Sequence, residues 1–251
     1  MCILPPRVDI LDVPISATNM QECLRILLPN IHSFKNKYIC VSNAHTTVMA
    51  HEDFNYWNVQ NSSLMSLPDG KPLSLIGRRQ FPEMDRITGP DLMREIFSRS
   101  NELGLKHYFY GNTKENLERL IDTLSDSYPD LEVVGYEPSM FRSLSEQENI
   151  DLINRINSTS PDIVWVGLGA PLQENFCYEH RDHVDSLMIG VGGAFNILAN
   201  ITPEAPHWMQ SMSLEWLYRL LMEPKRLFKR YLVTNSKFIF YLVTNHKRKT
   251  I

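Results

Sequence analysis

The alternation of short apolar, β-branched runs with segments of helical periodicity constrains this chain more than any other feature of its sequence. Tyr38–Ser42, Leu64–Leu67, Lys106–Tyr110, Leu131–Tyr136, Asp162–Leu168 and Leu187–Val191 read as strands. Ala44–His51, Gly89–Leu103, Lys114–Tyr128, Ser145–Asn157, Leu172–His180 and Ala194–Ala199 read as helices. Strands that alternate with helices are joined by crossovers, and crossovers make neighbouring strands parallel. Local signals agree: Pro90 suits the first turn of its helix, Gly104 stops that helix, and Ser145-Glu-Gln-Glu148 is a capping box. The expectation is a doubly wound α/β body whose ligands bind beyond the carboxyl ends of the strands.

Strand signals end near residue 205. From Pro206 onward Trp208, Met209, Met212, Leu214, Trp216, Leu217, Leu220, Leu221 and Leu227 recur at helical spacing. The chain therefore divides into a body over 1–205 and a helical appendage over 206–251. Tyr231-Leu-Val-Thr-Asn235 returns as Tyr241-Leu-Val-Thr-Asn245, which is too short to define a repeat fold.

Charge separates the two parts. After Glu223 there is no acidic residue, whereas Lys225, Arg226, Lys229, Arg230, Lys237, Lys247, Arg248 and Lys249 supply eight positive charges; the rest carries 17 basic and 29 acidic side chains. A basic segment on an acidic body points to an anionic partner, and the interleaved Phe228, Phe238, Ile239, Phe240 and Tyr241 suit a helix lying on anionic lipid. No recognised nucleic-acid-binding module accompanies the charge, so nucleic acid is not expected. Pro5, Pro6, Arg7 and Asp9 interrupt any apolar signal region, and no run approaches the roughly 20 apolar residues that span a bilayer. Cys2, Cys23, Cys40 and Cys177 form no CxxC pair, which fits reduced thiols in the cytosol.

Residues able to do chemistry cluster just after strands. Pro68-Asp69-Gly70 puts a carboxylate on a sharp turn, where it either accepts a proton from a substrate hydroxyl or merely forms the turn. Gly167-Leu-Gly169-Ala-Pro-Leu172-Gln173-Glu174 combines a strand end, glycines and a helix start, and Gly190-Val-Gly192-Gly193-Ala194 repeats the pattern. Such loops either offer N–H groups to an anion or allow a helix to pack closely on a strand. Neither is GxGxxG and both come late in the chain, which disfavours a nicotinamide oxidoreductase. A non-catalytic nucleotide-binding adaptor at a membrane would keep the loops and the tail without using Asp69. His180 and His183 lack a third clear ligand, and no Asp-x-Asp pair is present to hold Mg²⁺ against a diphosphate, so neither metal nor cofactor is expected.

Five blocks in order carry a more specific signal. They are Pro68-Asp-Gly70, Arg86-Ile-Thr-Gly-Pro-Asp91, Val166-Gly-Leu-Gly-Ala-Pro-Leu-Gln-Glu174, Gly190-Val-Gly-Gly-Ala-Phe195, and Ala205-Pro-His-Trp-Met209 through Leu214-Glu-Trp-Leu-Tyr-Arg-Leu-Leu-Met-Glu-Pro-Lys-Arg226. Over roughly Asn43 to Tyr231 the chain resembles the WecG/TagA/CpsF glycosyltransferases. The resemblance implies a Rossmann-like body, a membrane-associating C-terminal appendage and no metal requirement. It further implies inverting transfer of an N-acetylhexosamine or its uronate from a UDP-sugar to a polyprenyl-diphosphate-linked sugar. The work would be done at the cytoplasmic face of a bacterial plasma membrane, against its anionic inner surface, and the pattern leaves room for a homo-oligomer.

By this resemblance Asp69 matches the family's general base, Asn43 the asparagine after the first site strand, and Arg86 the arginine before the Gly-Pro-Asp helix. Gln173 and Glu174 match its Gln-Glu pair, grouped with Gly167, Gly169, Gly192 and Gly193 around the donor diphosphate. Arg219, Arg226 and Arg230 match the appendage arginines that approach the diphosphate. The chain departs from the pattern in having Val41 where Thr is common, Leu172 where Lys is common and Asn196 where Asp is common.

Overall fold

The computed structural model describes residues 3–212 and 214–244, with the backbone alone described at His207, Ser211, Arg226 and Arg230. It opens with an antiparallel hairpin, β1 (Arg7–Ile10) and β2 (Val13–Ser16), followed by α1 (Met20–Leu27) and a 3-10 segment, Leu28–Phe34. Then come β3 (Lys37–Ser42), α2 (Ala44–Glu52), α3 (Phe54–Asn61), β4 (Met65–Pro68), α4 (Lys71–Gly77) and α5 (Gly89–Leu103). The second half runs β5 (Lys106–Gly111), α6 (Lys114–Ser127), β6 (Glu132–Glu137), α7 (Glu146–Ser158), β7 (Ile163–Gly167), α8 (Leu172–His180), β8 (Leu187–Gly190) and α9 (Ala194–Leu198). Three helices follow: α10 (His207–Ser211), α11 (Glu215–Met222) and α12 (Pro224–Thr244).

Six strands form one parallel sheet in the order β4-β3-β8-β7-β5-β6. The α/β class expected from the alternation is the observed one. Period-2 patterning divides the strand side chains between two cores. Ile39, Val41, Phe109, Trp165 and Ile189 face one side, packed with α1, α5, α6 and α9. Tyr38, Cys40, Tyr108, Tyr110, Val164 and Met188 face the other, against α7 and α8. Burial on both faces is what the near-continuous apolar runs require of a parallel sheet.

A third core holds the hairpin, with Val8, Ile10, Val13 and Ile15 packed against Val48, Tyr56, Val59 and Leu73. Phe238 of α12 enters it at 4% exposure. Polar contacts fix α12 along α2: Lys237 Nζ lies 2.8 Å from Glu52 Oε1, the Tyr241 hydroxyl donates to the same oxygen at 2.6 Å, and Thr234 Oγ1 lies 3.1 Å from His45 Nδ1. The basic C-terminal helix thus does more than present charge, because one of its aromatic residues completes a core. Removing a buried Phe side chain costs about 3–5 kcal/mol, so Phe238→Ala is expected to lower unfolding stability by that order in a denaturant titration.

Candidate active site

All six parallel strands end at the same edge, so residues just after β4, β3, β8 and β7 stand in a row. Asp69 follows β4, Asn43 follows β3, Gly192 and Gly193 follow β8, and Gly169 follows β7. With strands about 4.8 Å apart, the row from Asp69 to Gly169 spans about 14 Å.

Asn43 is held by the helix it caps. Its Oδ1 accepts from the N–H groups of His45 and Thr46 at 3.0 and 3.3 Å, and the Thr46 hydroxyl accepts from the Asn43 N–H at 2.9 Å. This reciprocal cap occupies the amide oxygen and leaves the amide nitrogen to meet Asp69, with whose carboxyl it hydrogen-bonds. The Asp69 N–H donates to the Ser42 carbonyl at 2.6 Å, tying the ends of β3 and β4 together. Gly70 then turns the chain at φ 130°, a conformation that side chains rarely adopt, and so releases Asp69 from the strand direction.

Arg86 reaches the same place because the Ile87 N–H donates to the Pro68 carbonyl at 2.9 Å, which lays that segment beside the end of β4. Its Nη1 donates to Glu215 Oε2 at 2.5 Å. Glu215 opens α11, so this ion pair brings the C-terminal helices onto the strand ends. Arg219, one turn further along α11, is exposed and acts on Asp69 electrostatically.

These neighbours set the titration of Asp69. Burial is the largest influence and raises its pKa to about 6; Arg219 and Arg86 pull it back, Glu215 pushes it up, and the Asn43 hydrogen bond lowers it. A carboxylate held near 6 is mostly ionised at neutral pH yet more basic than an ordinary aspartate, which suits a general base.

The glycines divide into two kinds. A Cβ on Gly167 would lie 2.5 Å from the Phe195 ring, so Gly167 serves close packing of α9 on the sheet. Gly169 (φ 78°) and Gly192 (φ 55°) need left-handed backbone, and beside Gly169 and Gly193 the space is open. The first turn of α8 has no N-cap side-chain bond; its Gln173 N–H donates to the Gly169 carbonyl at 3.0 Å, and the helix dipole places partial positive charge at this end. Gln173 lies beneath these loops: its Oε1 accepts from the Gly169 N–H at 3.1 Å, and its Nε2 donates to Glu174 Oε1 at 2.8 Å. Gln173 and Glu174 are both buried, 4% and 1% exposed, and so support the glycine loop from below.

Asp69, Asn43, Arg86 and Arg219 are therefore brought together, while Gly169, Gly192 and Gly193 line the neighbouring strand ends. The side chains of Arg226 and Arg230 lie outside the described residues. Glu215 is given no role by the resemblance; its only sequence signal is as one of two carboxylates, with Glu223, in an otherwise apolar and basic stretch over 214–226. Asn196 accepts from Asn112 Nδ2 at 2.6 Å, Leu172 is exposed, and Val41 is buried in the core. The His180 ring packs on Phe176 at 4.5 Å, and among the described residues no group of three or more His, Cys, Asp or Glu side chains could hold a metal ion.

The glycosyl transferase WecG/TagA/CpsF family model matches residues 8–251, nearly the whole chain. The chain belongs to this family. Its curated relatives include N-acetylglucosaminyldiphosphoundecaprenol N-acetyl-beta-D-mannosaminyltransferases from two bacilli. The protein of Bacillus subtilis (strain 168) is 30% identical over 214 residues, covering 84% of this chain and 80% of the relative. That of Bacillus spizizenii (strain ATCC 23059 / NRRL B-14472 / W23) is 29% identical over 198 residues, covering 76% and 74%. As a WecG/TagA/CpsF member the chain is a glycosyltransferase. Among the described residues no helix is long and apolar enough to cross a membrane.

Proposed function

We propose that the chain transfers an N-acetylhexosamine, or its uronate, from a UDP-sugar to a sugar carried on a polyprenyl diphosphate, with inversion at the anomeric carbon. The observation that carries this reading is the row of strand ends. At one end stands a carboxylate with pKa about 6. About 14 Å along lie open glycine loops and an uncapped helix start, a span suited to a nucleoside-diphosphate sugar. The relatives' names supply an acceptor of matching chemistry, N-acetylglucosaminyldiphosphoundecaprenol, and an N-acetylmannosaminyl group as the one transferred.

In this mechanism Asp69 accepts the proton of the acceptor hydroxyl while that oxygen bonds to the anomeric carbon. The bond from that carbon to the diphosphate oxygen breaks on the opposite face, and UDP departs with the electron pair. Negative charge growing on the diphosphate meets the loop N–H groups after β7 and β8 and the guanidinium groups of Arg86 and Arg219, with Arg226 and Arg230 assigned to the same task. No metal or cofactor is assigned a step. The deciding experiment is UDP release from a panel of UDP-sugars against short-chain polyprenyl-diphosphate-sugar acceptors, run with and without chelator. Acceptor-dependent release with an N-acetylhexosamine donor, retained in chelator, is expected; hydrolysis without acceptor transfer would defeat the reading.

The acceptor also accounts for the C-terminal helices. Trp216, Leu221, Met222, Phe228, Leu232, Ile239 and Phe240 are exposed, in a segment whose last acidic residue is Glu223. Apolar rings flanked by lysine and arginine bind anionic bilayers peripherally, with each basic residue contributing about 1 kcal/mol that salt weakens. We assign this face to the membrane surface that carries the acceptor, the cytoplasmic one. Replacing both Ile239 and Phe240 by Ser should cut co-sedimentation with phosphatidylglycerol vesicles and leave the fold intact, since both side chains are exposed. Unchanged sedimentation would remove this face from the binding surface.

A further inference from the structure

A chain of buried polar side chains runs beneath the strand ends, and no step of the reaction uses it. Ser42, the last residue of β3, donates from Oγ to Gln60 Oε1 at 2.7 Å and lies 2.7 Å from the Ser66 hydroxyl of β4. Gln60 Nε2 donates to the Tyr56 hydroxyl at 3.1 Å. That hydroxyl interacts in turn with the Glu174 carboxyl of α8. Beyond Glu174 the chain continues through Gln173 to the Gly169 N–H.

All of these side chains are buried, and Glu174 Oε2 has no hydrogen-bond partner among the described residues. The thiols of Cys40 and Cys177 and the Tyr56 phenol face this carboxyl, and among the described residues no cation does. Burial raises its pKa above that of an ordinary glutamate. An incompletely satisfied polar group in a core is costly, and an apolar side chain there would cost less. What the carboxyl gains is position: one end of the chain holds the loop after β7, and the other holds Ser42, which precedes Asn43 and whose carbonyl binds the Asp69 N–H.

We propose that Glu174 is a positioning residue that fixes the glycine loop after β7 relative to the strand ends carrying Asn43 and Asp69, acting through Gln173 on one side and Tyr56, Gln60, Ser42 and Ser66 on the other. This inference rests on the assignment of Asp69 as the base. Misplacement by about 1 Å can cost 10²-fold in rate. Tyr56→Phe deletes one hydroxyl from the middle of the chain and keeps the shape. It should lower kcat by about tenfold or more, within that range, while UDP binds as in the wild type.

The Asp69 carboxyl, faced by Arg86, Arg219, Glu215 and Asn43, reports the same coupling without turnover. Its titration, followed by carbon-13 NMR of labelled aspartate, should shift below about 6 in Tyr56→Phe, because looser strand ends admit water. Glu174→Ala should behave like Tyr56→Phe. Glu174→Gln keeps an acceptor for Gln173 Nε2 and adds no charge, so it should recover most of the rate. Ser66→Ala gives the same titration reading if Tyr56→Phe does not fold. A lower Tm with unchanged kcat and unchanged Asp69 titration would make the chain purely structural and overturn the proposal, as would equal losses in Glu174→Gln and Glu174→Ala. If the wild type releases UDP from no donor in the panel but the titration still moves in Tyr56→Phe, the coupling stands and the functional reading falls.

Discussion

Asp69→Asn is expected to lower kcat by about 10²–10⁴-fold, the usual contribution of a general base, while UDP binding measured by calorimetry stays near the wild-type value. The substitution removes the proton acceptor and keeps the shape, and the glycine loops assigned to the diphosphate lie two or more strands away. It should also stabilise the fold. The pKa of Asp69 is raised from 3.8 to about 6 by burial, so between these values the native state binds more protons than the unfolded chain. Stability contributed by this group is therefore fully present below about pH 4 and lost as pH rises through about 6. At neutral pH the ionised carboxylate costs on the order of 3 kcal/mol, and an amide removes that cost. A variant that is nearly inactive yet melts at a higher temperature at pH 7.5 than at wild type would separate catalysis from folding. Near wild-type kcat would remove Asp69 from the role of base.

The parallel sheet was legible because period-2 and helical patterns alternate over most of the chain, and the helix starting at Gly89 ends at Leu103 with Gly104 at φ 61°, as its sequence suggests. The β1–β2 hairpin was not. Its two-residue turn is Leu11-Asp12, with φ 54° and 59°, where Asn-Gly would have announced it. Tertiary burial overrides local preference there, since the neighbouring Ile10 and Val13 complete a core with α2, α3 and α4. Asp69 could be singled out because it sits on a turn after a strand, and Asn43 and Arg86 because they match residues the family resemblance marks. Of the chain from Ser42 to Glu174 only the Glu174 end was marked in the sequence, because the other members come from three elements and each is by itself an ordinary polar residue. Glu215 is intermediate: its carboxylate is visible, but its pairing with Arg86 spans 129 residues and exists only once the chain folds.

That pairing makes opposite predictions for two neighbours on α11. Arg219 lowers the pKa of Asp69 and Glu215 raises it. In Arg219→Ala the acid limb of kcat/KM should move above pH 6, because the carboxylate loses its strongest attraction. In Glu215→Gln the limb should move below 6, because a like charge disappears and Arg86 is released from its ion pair. The rates should also separate. Loss of a group that stabilises leaving-group charge costs about 10²–10³-fold in kcat, so Arg219→Ala should be severely impaired across the pH range, whereas Glu215→Gln should change the profile more than its maximum. The free-enzyme profile of kcat/KM for the donor is the measurement, since it reports the ionisation of the base before substrate binds. Shifts in the same direction in both variants would mean that α11 affects Asp69 through packing, and no shift in either would place α11 away from the base in solution. Opposite shifts require a cation and an anion on one helix, acting on one carboxylate at the end of β4. The C-terminal helices would then set the basicity of the carboxylate assigned as the base.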